Sequence, residues 1–141
     1  MEEVMTREEA EKLIEKWADI LELDKKRTLY RDILEELTYP VQLGKLSFEE
    51  DTEVFKLMLR KPIKEGEKVI SFVEIRSASM KDKQVLQRYK DDESIEQAQA
   101  LIAKYTGLTP AQVGMLFDTD VSRINAVAMG FLAQISPQKK S

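Results

Sequence analysis

The sequence contains neither cysteine nor histidine. Without cysteine, the protein has no disulfide, no thiolate metal site and no thiol nucleophile. Without histidine, it lacks the commonest general base and the commonest metal ligand. The glycine-rich phosphate-binding patterns GxxxxGK[ST] and GxGxxG are also missing. We therefore expect a protein that is not an enzyme and that holds neither a metal nor a cofactor.

Membrane and export signals are lacking as well. No run of about eighteen apolar residues is present, so we expect no membrane-spanning segment. The first residues, MEEVMTREEAEK, do not show the basic and then apolar profile of a signal peptide, which predicts a cytoplasmic location. The 141 residues are 43% hydrophobic and 34% charged. This composition suits one domain with a substantial core.

Charge is unevenly spread along the chain. Residues 1–50 carry a net charge of −6, residues 51–90 of +4, and residues 91–141 of −2, which together give the whole-chain value of −4. A basic middle between acidic ends could attract an acidic partner or a neighbouring copy of the chain. The same lysines and arginines could equally well only solvate exposed strand positions.

Two helices are predicted over residues 1–40. Thr6 and Glu9 have the spacing of a capping box. Asp24 is placed to cap the second helix and Pro40 to end it, because the residue before a proline avoids the α region. Apolar residues recur at helical spacing in both segments: Ala10, Leu13, Ile14, Trp17, Ala18 and Leu21 in the first, and Leu29, Tyr30, Ile33, Leu34 and Leu37 in the second.

A β-hairpin is predicted next. Residues 41–51 carry Gly44 and show no sustained period, so they are interpreted as a connector. Residues 53–60 alternate in polarity, and residues 69–76 are rich in β-branched side chains. Residues 61–67 have the composition of the turn between them. A two-stranded ribbon is marginal alone and leaves its edges free, so it must pack on helices or pair with another chain.

Four short helices are predicted to follow. Their start signals are Ser79 with Asp82; the polar run 90–93; Thr109 with Pro110 and Gln112; and Asp118 or Asp120. The apolar stripes behind them are Val85, Leu86 and Tyr89; Ile95, Ala98, Leu101, Ile102 and Tyr105; Val113, Leu116 and Phe117; and Val121, Ile124, Val127, Ala128, Phe131, Leu132 and Ile135.

The predicted fold is thus α+β and predominantly helical. It consists of an N-terminal helical pair (1–40), a connector (41–51), and a hairpin with a bundle of about four short helices (52–136). A polar tail (137–141) follows Pro137.

One alternative is a helix-turn-helix DNA-binding protein. Ala103, Gly107 and Val113 have the spacing of that motif, with residues 111–118 as the reading helix. That helix contains no lysine or arginine and offers Gln112 as its base-reading side chain. Because DNA affinity depends largely on cationic contacts to phosphates, we expect no nucleic acid partner.

The apolar content of the last helices favours protein binding. It exceeds what a small bundle can bury, and methionines adapt to varied partner surfaces. Each of these side chains taken singly is expected in the core, but as a group they are candidates for a binding surface. The candidate protein-binding residues are Met115, Leu116, Phe117, Met129, Phe131 and Leu132.

The sequence also resembles a protein family. LMLRKPIKEGEKVISFVEIRSASMKDKQVL, followed by ESIEQAQALIAKYTGLTPAQVGMLFDTDVSRINAVAMGFL, is similar to the tail assembly chaperones of long-tailed bacteriophages, particularly the Mu-like group. The resemblance covers about residues 52–135, and residues 1–40 are not part of the pattern. The matching positions are Leu59, Pro62, Ile63, Gly66, Arg76, Ser79, Ala103, Thr106, Gly107, Leu108, Asp120, Phe131 and Leu132.

The resemblance implies a function. Chaperones of this family coat the long, helical, apolar tape measure protein and keep it soluble until tail tube protein subunits polymerise around it. They are absent from the finished virion, self-associate, and are often also made in a longer, frameshifted form. Lys139 and Lys140 would fit an A-rich slippery codon run, or simply a solvated tail.

Overall fold

The computed structural model describes residues 2–76 and 94–132, without the side chains of residues 94–98 and 129. The predicted helix with Val85, Leu86 and Tyr89 and the predicted polar tail lie outside these residues. The elements are α1 (Arg7–Ile20), α2 (Thr28–Gln42), β1 (Leu46–Glu49), β2 (Val54–Glu65), β3 (Lys68–Arg76), α3 (Ser94–Thr106), α4 (Pro110–Val113) and α5 (Asp118–Asn125), which continues as a π-helix (Ala126–Leu132).

The sheet has three antiparallel strands in the order β1-β2-β3, where the sequence predicted two. β1 lies inside the predicted connector. Its inward residues Leu46 and Phe48 pair with Leu57 and Phe55 of β2. Four residues are too few to show a period of two in the sequence, so only the pairing with β2 reveals this strand.

The turn of the hairpin is shorter than predicted. β2 continues to Glu65, which pairs with Lys68, so the turn consists of Gly66 and Glu67 alone. Gly66 has φ +66°, a backbone conformation that glycine adopts readily. Pro62 is tolerated in the strand because the pairing register shifts between Met58 and Ile63, and a proline fits such a bulge.

The predictions for α2 were wrong at both ends. Its N-cap is Arg27, without a side-chain hydrogen bond, while Asp24 Oδ1 accepts from the N–H of Lys26 in the preceding turn (3.0 Å). The helix also passes through Pro40. Pro40 has no N–H to donate to the carbonyl of Glu36, an exposed residue, and the helix ends two residues later at Gln42.

Several helix signals are confirmed. Thr6 and Glu9 form both hydrogen bonds of the capping box at the start of α1. The predicted apolar stripe of α1 faces inward, with Ala10, Ile14 and Trp17 buried. In α2, Tyr30, Ile33 and Leu37 are buried in the same way, so both N-terminal helices turn their apolar stripes toward the core.

An aromatic cluster joins the N-terminal helices, the sheet and the C-terminal helix. Phe55 of β2 lies at its centre, with ring centroids 5.7 Å from Trp17, 4.5 Å from Phe48 and 5.4 Å from Phe131. The Trp17 contact is edge-on and the Phe131 contact is stacked, both favourable geometries. The three parts of the described chain therefore share one core.

The π-helix approaches α2 closely at Gly130. A Cβ atom built at this position would lie 2.7 Å from Ile33 Cγ1 and 2.9 Å from Ile33 Cδ1. Real Cβ atoms do not approach other carbons so closely, so a side chain at position 130 would force Ile33 to shift. The π-helix packs closely on α2 because Gly130 has no side chain.

We expect Gly130→Ala to lower the free energy of unfolding by about 1–3 kcal/mol, because the added methyl overpacks the contact with Ile33. Urea denaturation measures the change. Gly114→Ala is the matched control: Gly114 has φ −65°, and its added Cβ would lie 3.4 Å from the nearest atom. An equal loss of stability in the two variants would contradict the role of Gly130.

Candidate protein-binding surface

The structure divides the six predicted binding residues between core and surface. Phe131 and Leu132 are 0% and 2% exposed, so they belong to the core of the chain. Met115 and Phe117 are 42% and 52% exposed, and Leu116 between them is partly buried against the core. The side chain of Met129 is outside the described part. We call Met115, Leu116 and Phe117 the 115–117 surface.

The turn that carries this surface is tightly built. Thr109 caps α4 through a complete capping box with Gln112, and Pro110 occupies the first helical position, all as predicted. After α4, the N–H of Met115 donates to Gln112 O (3.0 Å) and the N–H of Leu116 donates to Val113 O (3.1 Å). The backbone hydrogen bonds hold the exposed side chains in a defined position.

Phe117 occupies a position where a polar residue is expected. It is the N-cap of α5, and it makes no side-chain capping bond. Serine, threonine, aspartate and asparagine are preferred there, and an apolar residue costs about 1 kcal/mol. Lys61 Nζ lies 5.6 Å from the centre of the Phe117 ring, a cation–π distance that offsets part of this cost.

Asp120 has a structural role that the sequence prediction missed. Neither Asp118 nor Asp120 caps the last helix as predicted, since both lie within α5. Asp120 is 0% exposed, and its carboxylate accepts the backbone N–H of Arg60 (2.7 Å) and of Lys61 (3.0 Å). These two residues fall where the β2–β3 register shifts, so Asp120 satisfies N–H groups that lack a strand partner there.

The Asp120 bonds place basic side chains beside the apolar surface. Arg60 helps to line an open depression of about 390 Å³ in front of α5. The remaining lining residues are Gly114, Met115, Leu116, Phe117, Asp118 and Thr119. The depression therefore combines apolar side chains with a cation from β2 and one exposed carboxylate, a surface suited to a polypeptide rather than to a small molecule.

The geometry counts against the helix-turn-helix interpretation. The proposed reading helix is reduced to α4, which has four residues. Gln112, the candidate base-reading side chain, is buried. Its Nε2 donates to Glu65 Oε1 (3.0 Å), and its Oε1 accepts from the N–H of Thr109 (3.0 Å). Its hydrogen-bonding atoms are thus already engaged within the chain.

Within residues 2–76 and 94–132, no three acidic side chains come together in a way that could hold a metal ion. In that part of the chain, no helix has both the length and the apolar character needed to cross a membrane.

We expect Asp120→Asn to destabilise the protein by about 1.5–3 kcal/mol, since the amide can accept one of the two N–H groups but turns a donor toward the other. Thermal and urea unfolding measure the loss. Asp118→Asn is the control, because Asp118 is exposed on the same helix. Equal stability of the two variants would show that the Asp120 bonds contribute nothing.

Comparison with known proteins was carried out at three levels. Neither curated proteins nor solved structures give a match. A family model described as "Phage tail assembly chaperone proteins, E, or 41 or 14" matches residues 56–133, more than half of the chain. This range contains the 115–117 surface and Asp120, and it agrees with the resemblance found in the sequence. The chain belongs to the family of phage tail assembly chaperones.

Proposed function

We propose that this chaperone binds the tape measure protein through the 115–117 surface and keeps it soluble while tail tube protein subunits polymerise. Family membership supports a role in tail assembly, a non-enzymatic one, with protein partners. The observation that carries the proposal is Phe117, a half-exposed aromatic residue at a helix N-cap. Polar residues are preferred at helix N-caps, so an exposed phenylalanine there contributes little to folding and is available to a partner.

The chemistry of the surface fits a helical client. Met115 supplies a flexible, polarisable side chain that adapts to many similar apolar stripes, and Phe117 supplies a large flat one. Leu116 anchors the turn to the core. Arg60 and Lys61 flank these residues, so the favoured client segments are amphipathic helices with acidic residues beside their apolar face.

The shape of the surface fits reversible binding. A three-residue apolar surface on an open depression buries little area, so each contact is weak and many chaperones are needed per client. Weak contacts allow tail tube protein subunits to replace the chaperone along the client as the tube grows. We place this activity in the cytoplasm of the host cell, with the chaperone absent from the finished virion.

Phe117→Ser tests the proposal while sparing the fold. Serine is a preferred N-cap, which compensates for the lost contact with Lys61, so we expect stability within about 1 kcal/mol of the original. Loss of the exposed phenyl ring, which the client would cover, should weaken client binding about 10- to 100-fold. Co-expression with the tape measure protein and size-exclusion chromatography measure the soluble complex.

Tyr39→Ser is the matched control, because Tyr39 on α2 is 49% exposed and lies outside the family match. We expect this variant to keep the client soluble. Unchanged client solubility with Phe117→Ser and Met115→Ser combined, in a chaperone that remains folded, would contradict the proposal.

A further inference from the structure

The outer face of the sheet carries two large exposed apolar side chains. Along β2 the inward residues are Phe55, Leu57 and Leu59, so the residues between them point to the other side. Met58 on that side is 38% exposed, and Phe72, which lies directly opposite it on β3, is 40% exposed. We define the outer sheet face by the residues Lys56, Met58, Arg60, Phe72 and Glu74.

The strand register places the two apolar side chains together. Met58 pairs with Phe72 and Lys56 pairs with Glu74, both in the regular stretch of the ladder before the register shift. Residues directly opposite each other in an antiparallel pair point to the same side of the sheet. Lys56 Nζ lies 4.3 Å from the centre of the Phe72 ring, which agrees with a shared side. Met58 and Phe72 therefore form one small apolar patch bordered by a lysine.

The outer sheet face runs into the depression beside the 115–117 surface. The alternation along β2 continues through Arg60, which is exposed two residues after Met58. Arg60 also lines that depression, together with Met115 and Phe117. Two residues of strand span about 6–7 Å, so Met58 lies little more than one helical turn from the edge of the depression. Exposed apolar side chains are thus present on both sides of Arg60.

Three cations of β2 accompany this apolar path, namely Lys56, Arg60 and Lys61. None of them forms an ion pair within residues 2–76 and 94–132. Lys56 has Glu74 opposite it on β3, yet its ammonium group lies over the Phe72 ring instead. The three cations are therefore available to carboxylates of a partner, which they can bind without breaking an existing ion pair.

We propose that one helix of the client extends from the 115–117 surface over Arg60 onto Met58 and Phe72. This inference rests on the client binding proposed above and defines its footprint. Lys56 and Arg60 lie four strand residues apart, about 13 Å, which is close to the rise of eight helical residues. The favoured client helix therefore carries acidic residues about two turns apart, on one flank of its apolar stripe.

Threonine variants test the apolar patch. Threonine is favoured in strands, so Met58→Thr combined with Phe72→Thr should leave the fold intact, which circular dichroism checks. We expect the double variant to bind the tape measure protein about tenfold more weakly, because the client no longer covers two apolar side chains. Co-purification with a tagged tape measure protein measures the binding. Tyr39→Ser, at an exposed aromatic residue of α2, is the control and should bind as the original chain does.

The outcomes separate this inference from the proposal on which it rests. Weaker binding in Phe117→Ser but not in the threonine variant would overturn the extension onto the sheet and leave the 115–117 surface as the client site. Unchanged binding in both variants would contradict both proposals.

Lys56→Gln tests the contribution of charge. We expect it to bind the tape measure protein about two- to fivefold more weakly than the original chain at low salt and equally well at high salt, because salt screens exposed charges. Lys12→Gln removes an exposed lysine of α1 and should bind as the original chain does at both salt concentrations. Equal weakening by the two substitutions would mean that net charge alone matters, contrary to the inference.

Photo-crosslinking tests whether one client helix spans both surfaces. A photoreactive amino acid at position 72, and in a separate variant at position 117, should crosslink to the tape measure protein at sites about 7–11 residues apart in one segment. Mass spectrometry locates the sites. Crosslinks to unrelated segments of the client, or crosslinks from position 72 to a second copy of the chaperone in place of the client, would overturn the inference.

Discussion

One buried carboxylate, which accepts two backbone hydrogen bonds, organises the candidate binding surface. Asp120 on α5 accepts the N–H groups of Arg60 and Lys61 at the point where β2 slips out of register with β3. The bulge would otherwise leave these two N–H groups without a partner in the chain, and an unpaired donor shielded from water costs about 1–3 kcal/mol. The same bonds fix the start of α5 against the strand, and they hold Phe117 within reach of Lys61. Asp120 therefore pairs the free N–H groups of the bulged strand and also fixes the position of the binding surface.

A second constraint holds the C-terminal helix in place. Gly130 permits close contact with Ile33 of α2, and Phe131 stacks on Phe55 at the centre of the aromatic cluster. The N-terminal pair, which lies outside the family match, thus packs on the same helix that follows the binding surface. We infer that residues 1–40 stiffen the base from which the 115–117 surface projects.

Local signals predicted the described helices and two of their caps, but the caps predicted at Asp24 and at Asp118 or Asp120 were wrong. Thr6 with Glu9 and Thr109 with Gln112 form the capping boxes that their spacing indicates, because these bonds are made within four residues of chain. The inward residues of β2, such as Phe55 and Leu57, follow from simple alternation. Features that depend on distant partners were missed: β1 exists through its pairing with β2, and Asp120 serves a strand sixty residues away. An aspartate before an apolar stripe has the same local pattern whether it caps a helix or bridges to a bulge.

The binding residues show the same limit. The apolar stripes of the last two predicted helices gave no means of separating Phe131, which is in the core, from Phe117, which is half exposed. Pro62 was predicted to lie in the hairpin turn, so neither the bulge nor its donors in need of an acceptor was predicted. Composition favoured a binding protein at the level of the sequence, and the family match supports a role in tail assembly.

Site-specific photo-crosslinking tests the central claim most directly. A photoreactive amino acid placed at Met115, in chaperone co-expressed with the tape measure protein, should crosslink to that protein on illumination, while the same group at Tyr39 should not. Crosslinking from position 39 with none from position 115 would contradict the account, since the client would then occupy a different face of the molecule.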